Sequence, residues 1–233
     1  MSSENVYRPA GFEEMIEELG RRARALVLSG ERRILGLTGP PGSGKSTVGD
    51  ALATELGSVA TVVGMDGFHL ANEELRRLAR DDRKGAPDTF DVDGYRALLG
   101  RLRTQVAETI YAPRFDRNLE ESVASSVAIF RTTPLVVTEG NYLLLDEGGW
   151  ENIRPILDEV WYLDVPEGLR ANRLIERQRG HGKTLDDATR WTEQVDLPNS
   201  GFSTAARDTA DLIVEVPSRD TTDESGHMEH SGA

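Results

Sequence analysis

The stretch GPPGSGKS at residues 39–46 matches the pattern G-x-x-x-x-G-K-[ST] of phosphate-binding loops at every fixed position. Its glycines allow the backbone to curl, so that successive N–H groups point towards phosphate oxygens. Lys45 adds a mobile positive charge for the β- and γ-phosphates, and the hydroxyl of Ser46 is suited to bind Mg²⁺. The stretch therefore predicts a site for a nucleoside triphosphate and its magnesium ion.

The sequence on both sides of this loop fits a strand followed by a helix. Residues 33–38, RILGLT, form a short apolar run that is typical of a buried strand. Residues 45–56 carry apolar side chains on one helical face, and Gly57 provides a stop signal. The N-terminus of that helix adds its own affinity for anions. An accidental match to a glycine-rich turn is the alternative, and this context argues against it.

The composition limits the functions that are open to the chain. A net charge of −13 argues against a general binder of nucleic acids or of anionic membranes. The absence of cysteine excludes disulfides, thiolate catalysis and cysteine-ligated zinc. No apolar run approaches the ~18 residues of a transmembrane helix, and residues 1–10 lack the apolar segment of a signal peptide. We expect a cytoplasmic protein with no nucleic-acid or membrane partner; its oligomeric state stays open, a homodimer included.

Strand patterns alternate with helix patterns along most of the chain. Strands are predicted at residues 33–38, 59–65, 110–115, 134–138, 160–165 and 211–216, and helices at 11–29, 45–56, 92–106, 167–179 and 184–195. This alternation predicts an α/β fold with a mainly parallel sheet. Residues 1–216 would form a single domain, and the polar segment 217–233 a disordered tail.

Two acidic residues follow predicted strands directly, as the phosphate-binding loop does. They are Asp66, after the second strand, and Glu139, after the apolar run LVVT. Because ligands bind at the carboxyl ends of strands in such sheets, both acids should share one crevice with the loop. We interpret Asp66 as a base or a Mg²⁺ partner, with a turn or cap role as the alternative. Glu139 is interpreted, with Ser46, as holding Mg²⁺ or its water, again with capping as the alternative.

Three arginines are spaced at i, i+3 and i+7, so that a helix would place them on one face: Arg170, Arg173 and Arg177. Like charges at this spacing slightly destabilise an isolated helix. The spacing fits an arginine lid over phosphates, with Gly180 and Gly182 as its hinge. It fits a solvated charged face equally well.

Two further polar residues allow both a structural and a functional interpretation. Asp91 precedes the helix predicted to start at Val92, so it is suited either to cap that helix or to bind acceptor hydroxyls. His69 lies three residues after Asp66, and its position favours a role at the same site no more strongly than a structural role.

Four segments resemble, in their order and separations, those of the uridine kinase, phosphoribulokinase and pantothenate kinase group of P-loop kinases. They are the loop at residues 39–47, MDGFH at 65–69, RKGAPDTFD at 83–91 and TEGNY at 138–142. The similarity spans residues 15–216, and the second and third segments make it far more specific than the loop alone. It is strongest to a bacterial branch described as nucleoside/nucleotide kinase-like, which includes fructose-transport-system kinases.

This resemblance implies a three-layer α/β/α sandwich around a five-stranded parallel sheet, with a helical lid at about residues 169–195. It implies transfer of the γ-phosphoryl group of ATP, with Mg²⁺, to a hydroxyl of a small molecule. By position, the catalytic residues would be Asp66, Lys45 and Arg173. The nucleotide-binding residues would be Gly39, Gly42, Ser43, Gly44, Lys45, Ser46, Thr47, Arg177 and Asn199. The residues near the acceptor would be His69, Lys84, Phe90, Asp91, Asp116 and Arg117.

The chain departs from true uridine kinases at residues 111–117, where their base-binding aromatic and histidine have no evident counterpart. This puts a pyrimidine nucleoside in doubt, but sugars, nucleosides, pantothenate-like alcohols and vitamin precursors all stay open as acceptors. A regulatory NTPase and a non-catalytic ATP-sensing module are the alternatives to a kinase. The guanine-binding motif Asn-Lys-x-Asp is absent, which weakens a GTPase switch.

Overall fold

The computed structural model describes residues 5–217, so the tail predicted at 217–233 lies outside the described residues except for Pro217. The strands are β1 (Val6–Tyr7), β2 (Arg33–Thr38), β3 (Ala60–Gly64), β4 (Thr109–Asp116), β5 (Glu121–Phe130), β6 (Leu135–Gly140), β7 (Glu159–Asp164) and β8 (Leu212–Glu215). The α-helices are α1 (Phe12–Leu26), α2 (Lys45–Leu56), α3 (Asn72–Arg77), α4 (Val92–Arg103), α5 (Glu167–Gly180), α6 (Leu185–Trp191) and α7 (Leu197–Ala205).

Six strands form one sheet in the order β1-β8-β7-β2-β6-β3, and every pair in it is parallel. This confirms the predicted α/β fold with a mainly parallel sheet. The short edge strand β1 raises the predicted five strands to six. Two residues are too few to show a strand periodicity, so the sequence did not indicate β1. The phosphate-binding loop follows β2, which lies inside the sheet with β7 and β6 on its two sides.

Alternating side chains of the central strands face two separate apolar layers. Ile34 belongs to the layer that α4 covers, whereas Leu35 and Leu37 belong to the layer that α1 and α2 cover. Both layers are mainly apolar, as expected for a parallel sheet with helices on each face. The result is the three-layer α/β/α arrangement, and it fixes the carboxyl ends of β2, β3 and β6 at one edge.

The segment predicted as a strand at 110–115 does not join this sheet. It is part of β4, which pairs antiparallel with β5 as a separate hairpin. The hairpin packs against the turn Met65–Phe68 that follows β3. A Cβ on Gly67 would lie 2.5 Å from the carbonyl oxygen of Pro113, so only glycine permits this approach. The hairpin thereby forms a wall beside Asp66.

The helical region after β7 is longer and more broken than the sequence predicts. The predicted helix at 184–195 ends as an α-helix at Trp191 and continues through a π-helical turn, Thr192–Asp196, into α7. Between α5 and α6, Gly182 adopts a positive φ of 87° and reverses the chain. This region lies over the carboxyl edge of the sheet. Within residues 5–217, the helices are all too short or too polar to cross a membrane.

Candidate active site

The loop after β2 has the geometry of a phosphate cradle. Gly39, Gly42 and Gly44 all adopt positive φ, which turns the backbone around the N-terminus of α2. A Cβ on Gly42 would lie 2.8 Å from the carbonyl oxygen of Arg170, so the loop is also tightly covered by α5. The hydroxyl of Ser43 is buried and has no hydrogen-bond partner among the described residues. These features fit a loop that receives phosphate oxygens.

Lys45 extends back along this loop. Its Nζ donates hydrogen bonds to the carbonyl oxygens of Gly39, at 3.0 Å, and Pro40, at 3.1 Å. Burial lowers the pKa of Lys45 to about 8, while the charges of Glu139 and Asp66 oppose that shift. The ammonium group is therefore a desolvated positive charge at the centre of the loop, where a phosphate would be most strongly attracted.

Two carboxylates meet the loop from neighbouring strands, as the sequence predicts. Gly64 of β3 pairs in register with Glu139 of β6, so Asp66 emerges beside Glu139. The hydroxyl of Ser46 donates to Oε1 of Glu139 at 3.3 Å. Burial first, and then the charge of Asp66, raise the pKa of Glu139 to about 7.

The donor set around Ser46 suits Mg²⁺ bound together with a nucleotide. Among residues 5–217 there is no group of three or more histidine, aspartate or glutamate side chains that would hold a metal by itself. Mg²⁺ is usually held by one or two carboxylates plus substrate phosphates, and it keeps several waters. One hydroxyl and one carboxylate next to a phosphate cradle meet that requirement.

Replacing Glu139 with glutamine tests the electrostatics of this pair in metal-free protein. Because the pKa of Glu139 rises from 4.5 to about 7 on folding, the folded state binds more protons between those pH values. The free energy of unfolding should therefore fall as pH rises through that window, by about 3 kcal/mol in all. Glu139→Gln should flatten this dependence and be the more stable protein at pH 7.5. Urea unfolding at pH 4.5 and 7.5 measures it, with the exposed Glu147→Gln as control; parallel pH curves for wild type and Glu139→Gln would contradict it.

The three spaced arginines do not form a solvated face. Arg170 is 4% exposed and donates to the carbonyl oxygen of Pro41 and to the hydroxyl of Ser200, so it fixes α5 to the loop. Nη1 of Arg173 donates to the carbonyl oxygen of Gly42 at 3.3 Å. Arg177 lines the same cleft one turn further along α5. The structure thus separates one buried structural arginine from two that face the cleft.

The opposite wall of the cleft is aromatic and basic. The imidazole of His69 lies between Phe90 and Phe115, with ring centroids 4.1 and 4.9 Å away. Nζ of Lys84 lies 5.0 Å from the centroid of Phe115. Nη2 of Arg117 lies 3.7 Å from Oδ2 of Asp66. This wall brings together four of the residues predicted near the acceptor: His69, Lys84, Phe90 and Arg117.

The proton of His69 is placed by the backbone. Its Nδ1 lies 2.9 Å from the carbonyl oxygen of Asp66, which only accepts hydrogen bonds, so Nδ1 carries the proton. Burial lowers the pKa of His69 and keeps the ring neutral. Nε2 is consequently an acceptor, and His69 lines the cleft. Nε2 can therefore accept a hydrogen bond from a hydroxyl group of a ligand in the cleft.

Two residues predicted near the acceptor have structural roles instead. Oδ1 of Asp91 accepts the backbone N–H of Gly94 at 2.9 Å, which caps α4, and Asp91 does not line the cleft. Oδ1 of Asp116 accepts the N–H groups of Asn118 and Leu119, which closes the hairpin turn. Of the two alternatives for Asp91, the capping interpretation is the one that the structure supports.

The role of Asp91 can be separated from that of the cleft residues. Asp91→Ala should lower the free energy of unfolding by about 1 kcal/mol, the usual effect of losing an aspartate N-cap. Kinetic constants for the acceptor should stay unchanged, because the carboxylate is turned towards α4. Urea unfolding and steady-state kinetics measure the two effects, with Asp93→Ala on the same turn as control. An unchanged stability with a raised KM for the acceptor would return Asp91 to the substrate site.

One cleft of about 930 Å³ holds both walls. The predicted residues that line it are Gly42, Gly44, Lys45, Ser46, Thr47, Asp66, His69, Lys84, Phe90, Arg117, Glu139, Arg173, Arg177 and Asn199. Gly39 and Ser43 lie behind the loop surface and are buried. The sequence analysis missed several lining residues: Asn72, Glu120, Asn141, His181, Lys183 and Asp196. They come from five separate elements, and no local pattern marks them.

Comparisons with known proteins show the family to which the chain is similar. The sequence profile of the family described as "Phosphoribulokinase / Uridine kinase family" matches residues 34–223. A "Putative uridine kinase" of Schizosaccharomyces pombe is 31% identical over 85% of this chain and 89% of its own length. The "Uncharacterized protein YggC" of Escherichia coli is 33% identical over 91% of this chain and 87% of its own length.

A solved structure is similar over nearly its whole length. The chain described as a "putative fructose transport system kinase" from Silicibacter sp. TM1040 superposes with a TM-score of 0.78 and 36% identity. The match covers 85% of this chain and 98% of the other. The fold, the phosphate cradle and the family profile agree, and the chain belongs to the phosphoribulokinase/uridine kinase family of P-loop kinases, which phosphorylate small molecules with ATP.

Proposed function

We propose that this protein transfers the γ-phosphoryl group of ATP to a hydroxyl group of a small molecule, such as a sugar, a nucleoside or a pantothenate-like alcohol. The observation that carries the proposal is a single cleft with a phosphate cradle on one wall and an aromatic, hydroxyl-accepting wall on the other. Asp66 lies between the two walls. A cleft of about 930 Å³ also has room for two ligands of modest size, since ligand pockets span about 300–1,000 Å³.

The chemistry follows from this arrangement. The cradle amides, Lys45 and Arg173 hold the phosphates and neutralise charge on the transferring group. Asp66 orients the acceptor hydroxyl and accepts its proton as the new O–P bond forms and the bond to the ADP oxygen breaks. Ser46 and Glu139 would hold Mg²⁺, which would supply positive charge next to the phosphates. Almost all of the catalysis is positioning and electrostatic stabilisation.

The acceptor wall favours a hydroxyl compound with an apolar face. Phe90 and Phe115 flank His69, so the wall presents aromatic rings and one acceptor nitrogen. Lys84 and Arg117 add two positive charges to it. Fructose and uridine are the first acceptors to test, because the names of two similar proteins refer to them. Asn199, which is 8% exposed, lies on α7 at the nucleotide side, and we assign it to the neighbourhood of the base.

A panel of hydroxyl compounds with radiolabelled ATP and Mg²⁺ tests this function. The expected result is phosphorylation of one chemical class, with little ATP turnover when no acceptor is present. Lys45→Met is the control, because it removes the positive charge from the cradle while keeping the length of the side chain. Tight ATP binding with no stimulation by any acceptor would favour a sensing module, and stimulation only by a protein would favour a regulatory NTPase.

A further inference from the structure

The lid is joined to α7 through an irregular helical turn that ends in a buried acid. The turn Thr192–Asp196 is π-helical, and single π-turns inside helices occur frequently at functional sites. Asp196, its last residue, is 8% exposed and lines the cleft. The turn therefore delivers to the cleft a carboxylate that lies outside the four family segments.

The carboxylate of Asp196 is only partly satisfied. Its Oδ2 is buried and accepts no hydrogen bond from any residue in the described range 5–217. The side chain of Gln178 hydrogen-bonds this carboxylate, its Oδ1 lies 3.8 Å from Nη2 of Arg177, and Lys183 adds a second nearby positive charge. A buried carboxylate with a free oxygen is unfavourable for folding. Unsatisfied groups of this kind call for an explanation other than stability.

Arg177 connects this acid with the phosphate cradle. Its positive charge is near enough to Lys45 to lower the pKa of Lys45. The side chain of Arg177 is 38% exposed, and the ion pair with Asp196 restricts the rotamers of this long, flexible chain. The guanidinium thus lies between a fixed carboxylate in the lid and the site of the phosphates.

We propose that Asp196 is a positioning residue that holds Arg177 over the phosphate cradle, so that the terminal phosphate of the nucleotide meets a guanidinium already in place. This inference rests on the proposed function. The physical gain is pre-organisation, because the rotamer freedom of Arg177 is restricted before the nucleotide binds. Asp196 does not contact phosphate itself, since two negative groups repel.

The direction in which Asp196→Asn changes nucleotide affinity separates a positioning role from simple repulsion of phosphates. If Asp196 only repelled phosphates, Asp196→Asn would tighten binding of every nucleotide, and most of all of a triphosphate. If Asp196 holds Arg177, the same change would selectively weaken the nucleotide that carries a terminal phosphate. The informative quantity is therefore the ratio of affinities for the β,γ-imido analogue of ATP and for ADP.

Isothermal titration of the full chain with Mg²⁺ and these two nucleotides gives that ratio. We expect Arg177→Ala to lower the preference for the imido analogue about tenfold, and Asp196→Asn to lower it about fivefold, within the range of coupled neighbouring residues. The double variant should match Arg177→Ala alone, because Asp196 acts through Arg177. Glu193→Gln, an exposed acid on the same π-turn, should match wild type.

Thermal unfolding of the same variants shows whether each of them is folded. Asp196→Asn should melt at or above the wild-type temperature, because asparagine has nearly the shape of aspartate and does not bury a charge. If Asp196 had a purely structural role, the same variant would lose both stability and nucleotide affinity. If Asp196→Asn does not fold, Asp196→Ala replaces it in the double-mutant cycle with Arg177→Ala. An unchanged or raised preference in Asp196→Asn, or additive effects in the double variant, would overturn the positioning role alone. A wild-type protein that binds neither nucleotide would overturn the proposed function, and this inference with it.

Discussion

Replacing Asp66 with asparagine is expected to lower kcat by ~10²–10⁴, the range that loss of a general base usually produces. Asp66 lines the cleft between the phosphate cradle and the acceptor wall, and Arg117 at 3.7 Å is the ion-pair partner of its carboxylate. The asparagine keeps the shape of the side chain but does not accept a proton. ATP affinity should change little, because the cradle is formed by other residues.

Single-turnover phosphoryl transfer to the acceptor identified in the panel measures this effect. Asp116→Asn is the matched control, because it makes the same chemical change in the neighbouring hairpin turn, outside the cleft. A wild-type transfer rate in Asp66→Asn would leave Asp66 as a capping or metal-shell residue. The structure already assigns Asp91 and Asp116 to caps, so the base would then have to be Glu139 or a water.

Arg173→Ala is expected to lower kcat by ~10³, the lower end of the range that arginine fingers contribute. Its guanidinium lies against the cradle, with Nη1 on the carbonyl oxygen of Gly42, and in the proposed mechanism it stabilises charge on the transferring group. The KM for ATP should rise far less than kcat falls, because an interaction that strengthens in the transition state affects the rate selectively.

The matched control is Arg179→Ala on the same helix, where an exposed ion pair with Glu176 contributes little. Arg173→Lys should recover only part of the rate, because an ammonium group does not reproduce the planar fork of a guanidinium. Thermal unfolding of each variant tests whether the hydrogen bond to Gly42 is structural. A normal kcat together with a lowered melting temperature would make Arg173 a second structural arginine, like Arg170.

The sequence by itself determined the features that depend on short, continuous stretches. The phosphate-binding loop was predicted because its geometry needs glycines and a lysine at fixed spacing, and all of them lie within residues 39–46. The main strands were predicted because a buried parallel strand is a short apolar run. Asp66 and Glu139 were placed at one edge because parallel strands share a direction.

The resemblance to known kinases added residues that local patterns could not rank. It indicated Arg173, Arg177 and Asn199 on the nucleotide side, and the structure brings all three into the cleft. It also indicated Asp91 and Asp116, which the structure uses as caps. A motif position therefore indicated a segment in each case, but it did not show in which direction the side chain points.

Only the tertiary structure decided which chemically similar residues do different things. Arg170 and Arg177 share one helical face by spacing, yet Arg170 is buried against Ser200 of α7, whereas Arg177 faces Asp196 and the cleft. The pairing of β4 with β5 outside the main sheet was hidden in the same way, because residues 123–126 of β5 are exposed and carry no core pattern. Periodicity shows which side chains share a face of an element. What lies opposite that face depends on contacts between residues far apart in the chain, and those contacts set the burial and the charge environment that give each group its chemistry.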